Sequence, residues 1–478
     1  MIEIKRPANR FGKIAPDHPI HQEQQTNILT SLGILFLVMV GAAALGWAIP
    51  NVPLLYIAIG IGGMICVLLA FFKIEIAVLF LLFMHGILES LDYLSIGSDF
   101  LNPNRLLALL IFAGGVVYLL TNKIDYSRIP VFFPFLAFLG ACFVSVGIGF
   151  RGNTSLLIEG LSATMRLGTA FIIYTVLLHK LDSRSQVNWV VGVIIASQIY
   201  PTARGLLDVA GGGGNTFNNM STSRLGGGTS GVGVFLVVPT TLSLLHFLKA
   251  KTAGRRVLFG SLAGFFVLSL FYSYGRAGWI GFLIIIIVIG TVRHQMVLVI
   301  LPALLIIVLM TIPAISDRFA DIDSTSLEDA DASTLGDRIE LWKTGLDLYK
   351  DSPIFGIGFG ISQTRVGALL DTGRPQEIHN DYVQALVATG IAGLIAFMWW
   401  QVQLLYDAIQ SFRWSQDPHD QTLTLALVAL LIAFAAMRLT DNVISNARLY
   451  PLMALAAAVL AIPRLRAVEE EQRRAGSS

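Results

Sequence analysis

The chain has 478 residues, 55% of them apolar and 13% charged, with a formal net charge of +2 and a mean hydropathy of +0.70. Soluble domains carry roughly a quarter of their residues as charges, so a soluble globular enzyme is excluded. Lys and Arg are dispersed along the chain without forming one patch, so nothing in the charge points to nucleic acid and no such partner is expected. The composition predicts an all-α, polytopic membrane helix bundle.

Residues 1–26 are polar and hold Lys5, Arg6, Arg10 and Lys13 ahead of any apolar run. They predict a cytoplasmic N-terminal tail and no cleavable signal sequence. Apolar runs near 20 residues then follow one another, the length that a hydrocarbon core of about 30 Å requires of a helix. They predict helices over 27–49, 52–72, 74–91, 103–120, 130–149, 162–179, 187–207, 229–248, 257–274, 277–292, 295–313, 382–408, 421–439 and 443–463. About 12 to 14 of these cross the membrane. The organisation that follows is transmembrane helices over 27–313, a large helical periplasmic loop over 314–381, transmembrane helices over 382–463 and a cytoplasmic tail over 464–478. Cys66 and Cys142 fall inside predicted helices, no Cys/His spacing suggests a metal, and no cofactor is expected.

Orientation follows from the short loops. With the N-terminus inside, the inner connections hold Lys73, Lys123 with Arg128, Lys180 with Arg184, Lys249 to Arg256, Arg293, Arg413, and finally Arg464 to Arg474. Every inner loop is basic. The count of helices and the orientation therefore support each other.

Two outer segments are long. The first, about 208–228, is glycine-rich and carries Arg224; it is either a flexible loop or part of a substrate lining. The second opens with an acidic, solvated stretch from Asp317 to Asp331 and continues as DRIELWKTGLDLYKDSPIFGIGFG. Asp337 and Glu340 have the spacing of a capping box, and Ser352-Pro353 ends the helix they start. Ile339, Trp342, Leu346 and Tyr349 share one face, which predicts an amphipathic helix lying against the bundle. Arg338 sits in its first turn, where the positive end of the helix disfavours a cation and a bound anion resolves the conflict. A pairing with a loop carboxylate is the alternative.

Arg276 lies in a turn, Gly275-Arg276-Ala277-Gly278-Trp279, on the same outer side; alone, it reads as a headgroup anchor. His379-Asn380-Asp381-Tyr382 precedes a membrane helix. Asn380 or Asp381 caps that helix, Gln384 completes a box with Asp381, and Ala385, Thr389 and Gly393 form a small-residue stripe for close packing. Imidazole exchanges its proton near neutral pH, so His379 suits a general base. Two guanidiniums and one base on one face suit a reaction in which a diphosphate leaves and a hydroxyl attacks.

The order GRAGW, GDRIELWKTGLDLYKDSPIFGIGFG, HNDYVQALVATGIAGLI in a many-helix chain resembles the O-antigen ligase family, which includes Wzy-type polysaccharide polymerases. The resemblance spans about residues 220–400. It implies a metal-independent, inverting glycosyltransferase of the bacterial inner membrane, working at the periplasmic face with both termini cytoplasmic. The donor it implies is a glycan on undecaprenyl diphosphate, and the acceptor is another glycan or lipid A-core. By the family pattern His379 is the base, and Arg276, Arg338 and Arg224 bind the donor diphosphate, with Trp342, Asn380 and Asp381 in support. Where the family has Ser-Arg-Gly this chain has Gly275-Arg276-Ala277. A transporter or flippase of lipid-linked saccharides is the rival reading; it would place ionisable groups at mid-membrane and show paired repeats.

Overall fold

The computed structural model describes residues 73–89, 103–210, 228–273, 275–293, 335–372, 375–444 and 449–476. The predicted helices over 27–49, 52–72 and 295–313, the glycine-rich stretch with Arg224, and the acidic stretch lie outside the described residues.

The helices are α1 Ile74–Glu89, α2 Pro103–Thr121, α3 Phe132–Gly149, α4 Thr154–Lys180, α5 Arg184–Ser197, α6 Ile199–Ala210, α7 Gly228–Lys249, α8 Ala253–Tyr272, α9 Arg276–Val292, α10 Leu335–Tyr349, α11 Ile361–Leu369, α12 Asp381–Trp414, α13 Pro418–Met437 and α14 Leu449–Gly476. Among the described residues, seven spans are long and apolar enough to cross a membrane, and four more apolar helices are shorter. The protein is an all-α, multi-pass membrane bundle.

Local chemistry sets many of the ends. Asn153 caps α4 through the Ser155 and Leu156 N–H groups, and Ser183 with Gln186 forms a capping box at α5. Asp417 caps α13, with Pro418 in the first turn where its missing N–H costs nothing. The predicted helix 187–207 is divided at Gln198 into α5 and α6.

The core is aromatic and small-residue packing. Phe135 of α3 stacks on Trp400 of α12 with centroids 4.1 Å apart, and Phe138 and Phe397 flank them. Helices approach closely where both sides are small: a β-carbon on Gly278 of α9 would come within 2.7 Å of the Gly233 backbone of α7. At the opposite end from the site described below, Arg184 and Arg466 both pair with Asp420, with Arg466 Nη2 2.6 Å and Arg184 Nη2 3.2 Å from Asp420 Oδ2.

α12 is broken at Gly390, where φ is +69°. Ile391 and Ala392 would bond the Val387 and Ala388 carbonyls in an unbroken helix. Instead their N–H groups donate to Pro353 and Ile354, at 3.0 and 3.2 Å. The released Val387 and Ala388 carbonyls accept from Ile357 and Gly358, at 3.1 and 3.0 Å. The segment Pro353–Gly358 thus replaces the missing turn of the helix, satisfying groups that a bilayer could not. Its glycines are there for contact: a β-carbon on Gly356 would overlap the Ala388 backbone, and one on Gly390 the Ile354 carbonyl. The same segment is held from α3, since Phe359 N–H donates to Ser145 Oγ at 3.0 Å.

α10 rests on this plug. Leu341 joins Ile357, Val366, Ile378 and Val387 in a small core of its own, with Trp342, Leu348 and Tyr349 at its edge. The buried face differs from the predicted one: Leu341 and Gly345 are inside, whereas Ile339 and Leu346 are exposed. Gly345 turns the helix this way, because its bare Cα admits the Ile378 side chain, 2.9 Å from where a β-carbon would stand.

Candidate active site

His379 has φ +53°, in the left-handed region that a residue with a β-carbon enters at a cost. The backbone around it is fixed on both sides. Trp342 Nε1–H donates to the Ile378 carbonyl at 2.9 Å. Asn380 Oδ1 accepts the Tyr382 and Val383 N–H groups, at 3.0 and 3.1 Å, and so starts α12. The Asp381 N–H donates to the Arg438 carbonyl at 2.9 Å. These contacts hold the strained residue in one conformation.

Asn380 is the cap of α12, which corrects the expectation that Asp381 and Gln384 form a capping box. Asp381 is the first helical residue and is turned inward, fully buried. Its carboxylate accepts the Val443 N–H at 3.0 Å and the Ile444 N–H at 3.1 Å, and lies 3.3 Å from Arg438 Nε. Arg438 is equally buried, over the rings of Phe397 and Trp400 at 5.5 and 5.9 Å, and donates to Gln401 Oε1. Gln384 instead donates to Ser362 Oγ at 2.6 Å, joining α12 to α11. Removing one member of a buried ion pair costs about 3–5 kcal/mol, so Arg438 and Asp381 fix the 438–444 turn against the start of α12.

That turn brings Asp441 to His379. Asp441 Oδ1 lies 3.9 Å from His379 Nδ1 and accepts the Asn442 N–H at 2.8 Å. His379 is 14% exposed at its side chain, and its Nδ1 makes no hydrogen bond among the described residues. A short shift would close the pair.

The two arginines reach the same end by different helices. Arg276 is the first residue of α9, after Gly275. Five residues on, Gly281 packs against the Met437 side chain, immediately before Arg438. At about 1.5 Å per residue, Arg276 is thus roughly 7–8 Å along α9 from that contact, at the end where α12 begins. Arg338 lies one turn before Trp342, whose indole holds the residue preceding His379. α10 starts at Leu335, so Asp337 lies within its first turn and does not cap it. The structure therefore collects His379, the helix starts that carry Arg276 and Arg338, and the 438–444 turn at one end of the bundle. Arg224 lies outside the described residues.

Residues 259–398 match the family model described as O-Antigen ligase. This segment of the chain is similar to the O-antigen ligase family. The matched segment holds Arg276, Arg338, Trp342, His379, Asn380 and Asp381, and the match supports glycosyl transfer in the assembly of O-antigen or related polysaccharide. No curated protein matches the chain. Arg438 and Asp441 fall beyond the matched O-antigen ligase segment yet touch its residues. Sequence reasoning missed both; the available signal was RLTDN, an arginine and an aspartate together between two apolar runs.

Proposed function

We propose that this protein transfers a glycan from undecaprenyl diphosphate to an acceptor hydroxyl at the periplasmic face of the bacterial inner membrane, without a metal and with inversion. The observation that carries this reading is His379, strained and clamped beside Asp441 inside the segment similar to the O-antigen ligase family. His379 takes the proton of the acceptor hydroxyl. The freed oxygen attacks the anomeric carbon as the bond to the diphosphate oxygen breaks on the opposite face. Arg276 and Arg338 bind the diphosphate and neutralise the charge it gains on leaving, which serves the role that a metal would otherwise have. Asp441 positions the imidazole and stabilises its protonated form, as a carboxylate does beside any histidine base. The acceptor is a second glycan or lipid A-core; one base serves either.

The test is release of undecaprenyl diphosphate by the purified protein, given the lipid-linked glycan and an acceptor. Arg276→Ala and Arg338→Ala should each lower kcat by about 10²–10³, the usual loss for one transition-state donor. Lysine at either position should restore part of it. Release at the unaltered rate in both alanine variants would remove the arginines from the mechanism.

Asp441→Asn should lower kcat by roughly tenfold or more through loss of imidazolium stabilisation, while the donor KM stays unchanged. A raised KM with unchanged kcat would make Asp441 a structural residue only.

A further inference from the structure

A second cationic centre stands at the same end of the bundle, apart from the residues assigned above. The turn between α3 and α4 joins two membrane spans, so it lies at headgroup level. Its Arg151 has φ +47° and a side chain 64% exposed. Arg365, from α11, donates to the Gly149 carbonyl, two residues before Arg151. Two guanidiniums thus crowd one turn. Burial and then the charge of Arg151 hold the Arg365 pKa below its usual value, with Asp351 acting against them. Asp351 is a weak counter-ion, 3.9 Å from Arg151 Nη2 and itself half-exposed. The neighbouring carboxylates are engaged elsewhere: Asp347 binds Lys350 at 2.7 Å, and both oxygens of Glu159 accept the Thr364 hydroxyl, at 2.6 and 2.7 Å.

Like charges held together by a fixed fold, with one half-exposed carboxylate shared between them, form a site for an anion with several oxygens. Phosphate fits best, since guanidinium forks match its oxygens two at a time. Position selects the carrier, for Arg151 sits between two spans where lipid headgroups lie. We propose that Arg151 and Arg365 form a binding site for a phosphate group carried on a lipid at the membrane surface.

The site is linked to the candidate base through the backbone. The Gln376 N–H, three residues before His379, donates at 2.9 Å to the carbonyl of Gln363, two residues before Arg365. At about 3.6 Å per residue, and with about 7 Å across the hydrogen bond itself, the Cα atoms of Arg365 and His379 are at most roughly 25 Å apart along this path. A phosphorylated acceptor lipid seated on Arg151 and Arg365 would have its glycan within reach of His379. Bulk anionic phospholipid offers the same phosphate chemistry.

The test uses the full-length protein in phosphatidylcholine nanodiscs, titrated in separate arms with phosphatidylglycerol and with a bisphosphorylated lipid A, and read by native mass spectrometry. Binding is scored without turnover, so the result stands whether or not the glycosyl-transfer reading does. The double variant Arg151→Gln/Arg365→Gln should weaken binding by about tenfold or more, the loss expected for charge-assisted hydrogen bonds. Loss confined to lipid A identifies the phosphorylated glycolipid as occupant; loss in the phosphatidylglycerol arm identifies bulk phospholipid. Arg151→Gln alone alters an exposed side chain, and should show part of the loss with an unchanged melting temperature. Lys343→Gln, at an exposed position on α10, should leave both affinities unchanged. Unaltered binding by the double variant, or an equal loss in Lys343→Gln, would overturn the proposal.

Discussion

His379→Ala is expected to reduce undecaprenyl diphosphate release by about 10²–10⁴, the range that a positioned general base supplies. The donor should still bind with near-normal affinity, because the arginines that would hold it belong to α9 and α10. The variant keeps the backbone strain. Alanine enters the left-handed region no more readily than histidine, but it removes the ring that makes the conformation useful. The melting temperature should therefore change little, which separates a chemical loss from an unfolded protein. His379→Gln, which keeps a polar side chain but cannot accept and carry the proton, should be as inactive as alanine. Turnover within a fewfold of the parent in both variants would end the assignment of His379 as the base.

Gly356→Ala is expected to be strongly destabilising. Gly356 has φ +74°, and a β-carbon there would overlap the Ala388 backbone. The new methyl would lift Pro353–Gly358 out of the break in α12 and leave the two carbonyls and two N–H groups at Val387–Ala392 without partners. Each buried orphan costs about 1–3 kcal/mol, so the loss is on the order of 5 kcal/mol before the strain of the positive φ is added. Gly147→Ala is the control, since a β-carbon at that position in α3 meets nothing within 4 Å. Thermal unfolding in nanodiscs should show a large drop for the first and none for the second. Equal melting temperatures for the two would mean that the plug does not bear on stability.

The helices were legible because they are written in a one-dimensional signal. A run of twenty apolar residues needs no tertiary information to be read as a span, and described helices such as α3, α7 and α13 begin and end within about three residues of the expected positions. His379, Arg338 and Arg276 were legible because each stands at a helix start, where polar residues punctuate an apolar chain. Contacts between distant segments left no such mark. Nothing in the periodicity of ELWKTGLDLYK tells which of two adjacent stripes on α10 faces inward; Gly345 against Ile378 decides it, and that pairing exists only in three dimensions. Asp381 looked like a cap because capping is a local pattern, whereas its real partners are Arg438, Val443 and Ile444, about sixty residues on. Asp441 was invisible for the same reason. The glycines of GIGFG were visible as glycines, but their spacing carries no hint that the groove they fit is a gap in a later helix.

The break at Gly390 also governs how the protein is made. A span whose hydrogen bonds are complete can leave the insertion machinery alone and find its neighbours afterwards, the usual two-stage order for membrane helices. α12 cannot, since part of its hydrogen bonding is supplied by Pro353–Gly358. That segment is synthesised about thirty residues earlier, so it has emerged before the helix that needs it. Entry of α12 into the bilayer and capture of the preceding loop are consequently a single event. Cutting the chain between Gly360 and Asp381 and supplying the two parts separately would turn that event into a bimolecular one, and the yield of assembled protein would then depend on concentration.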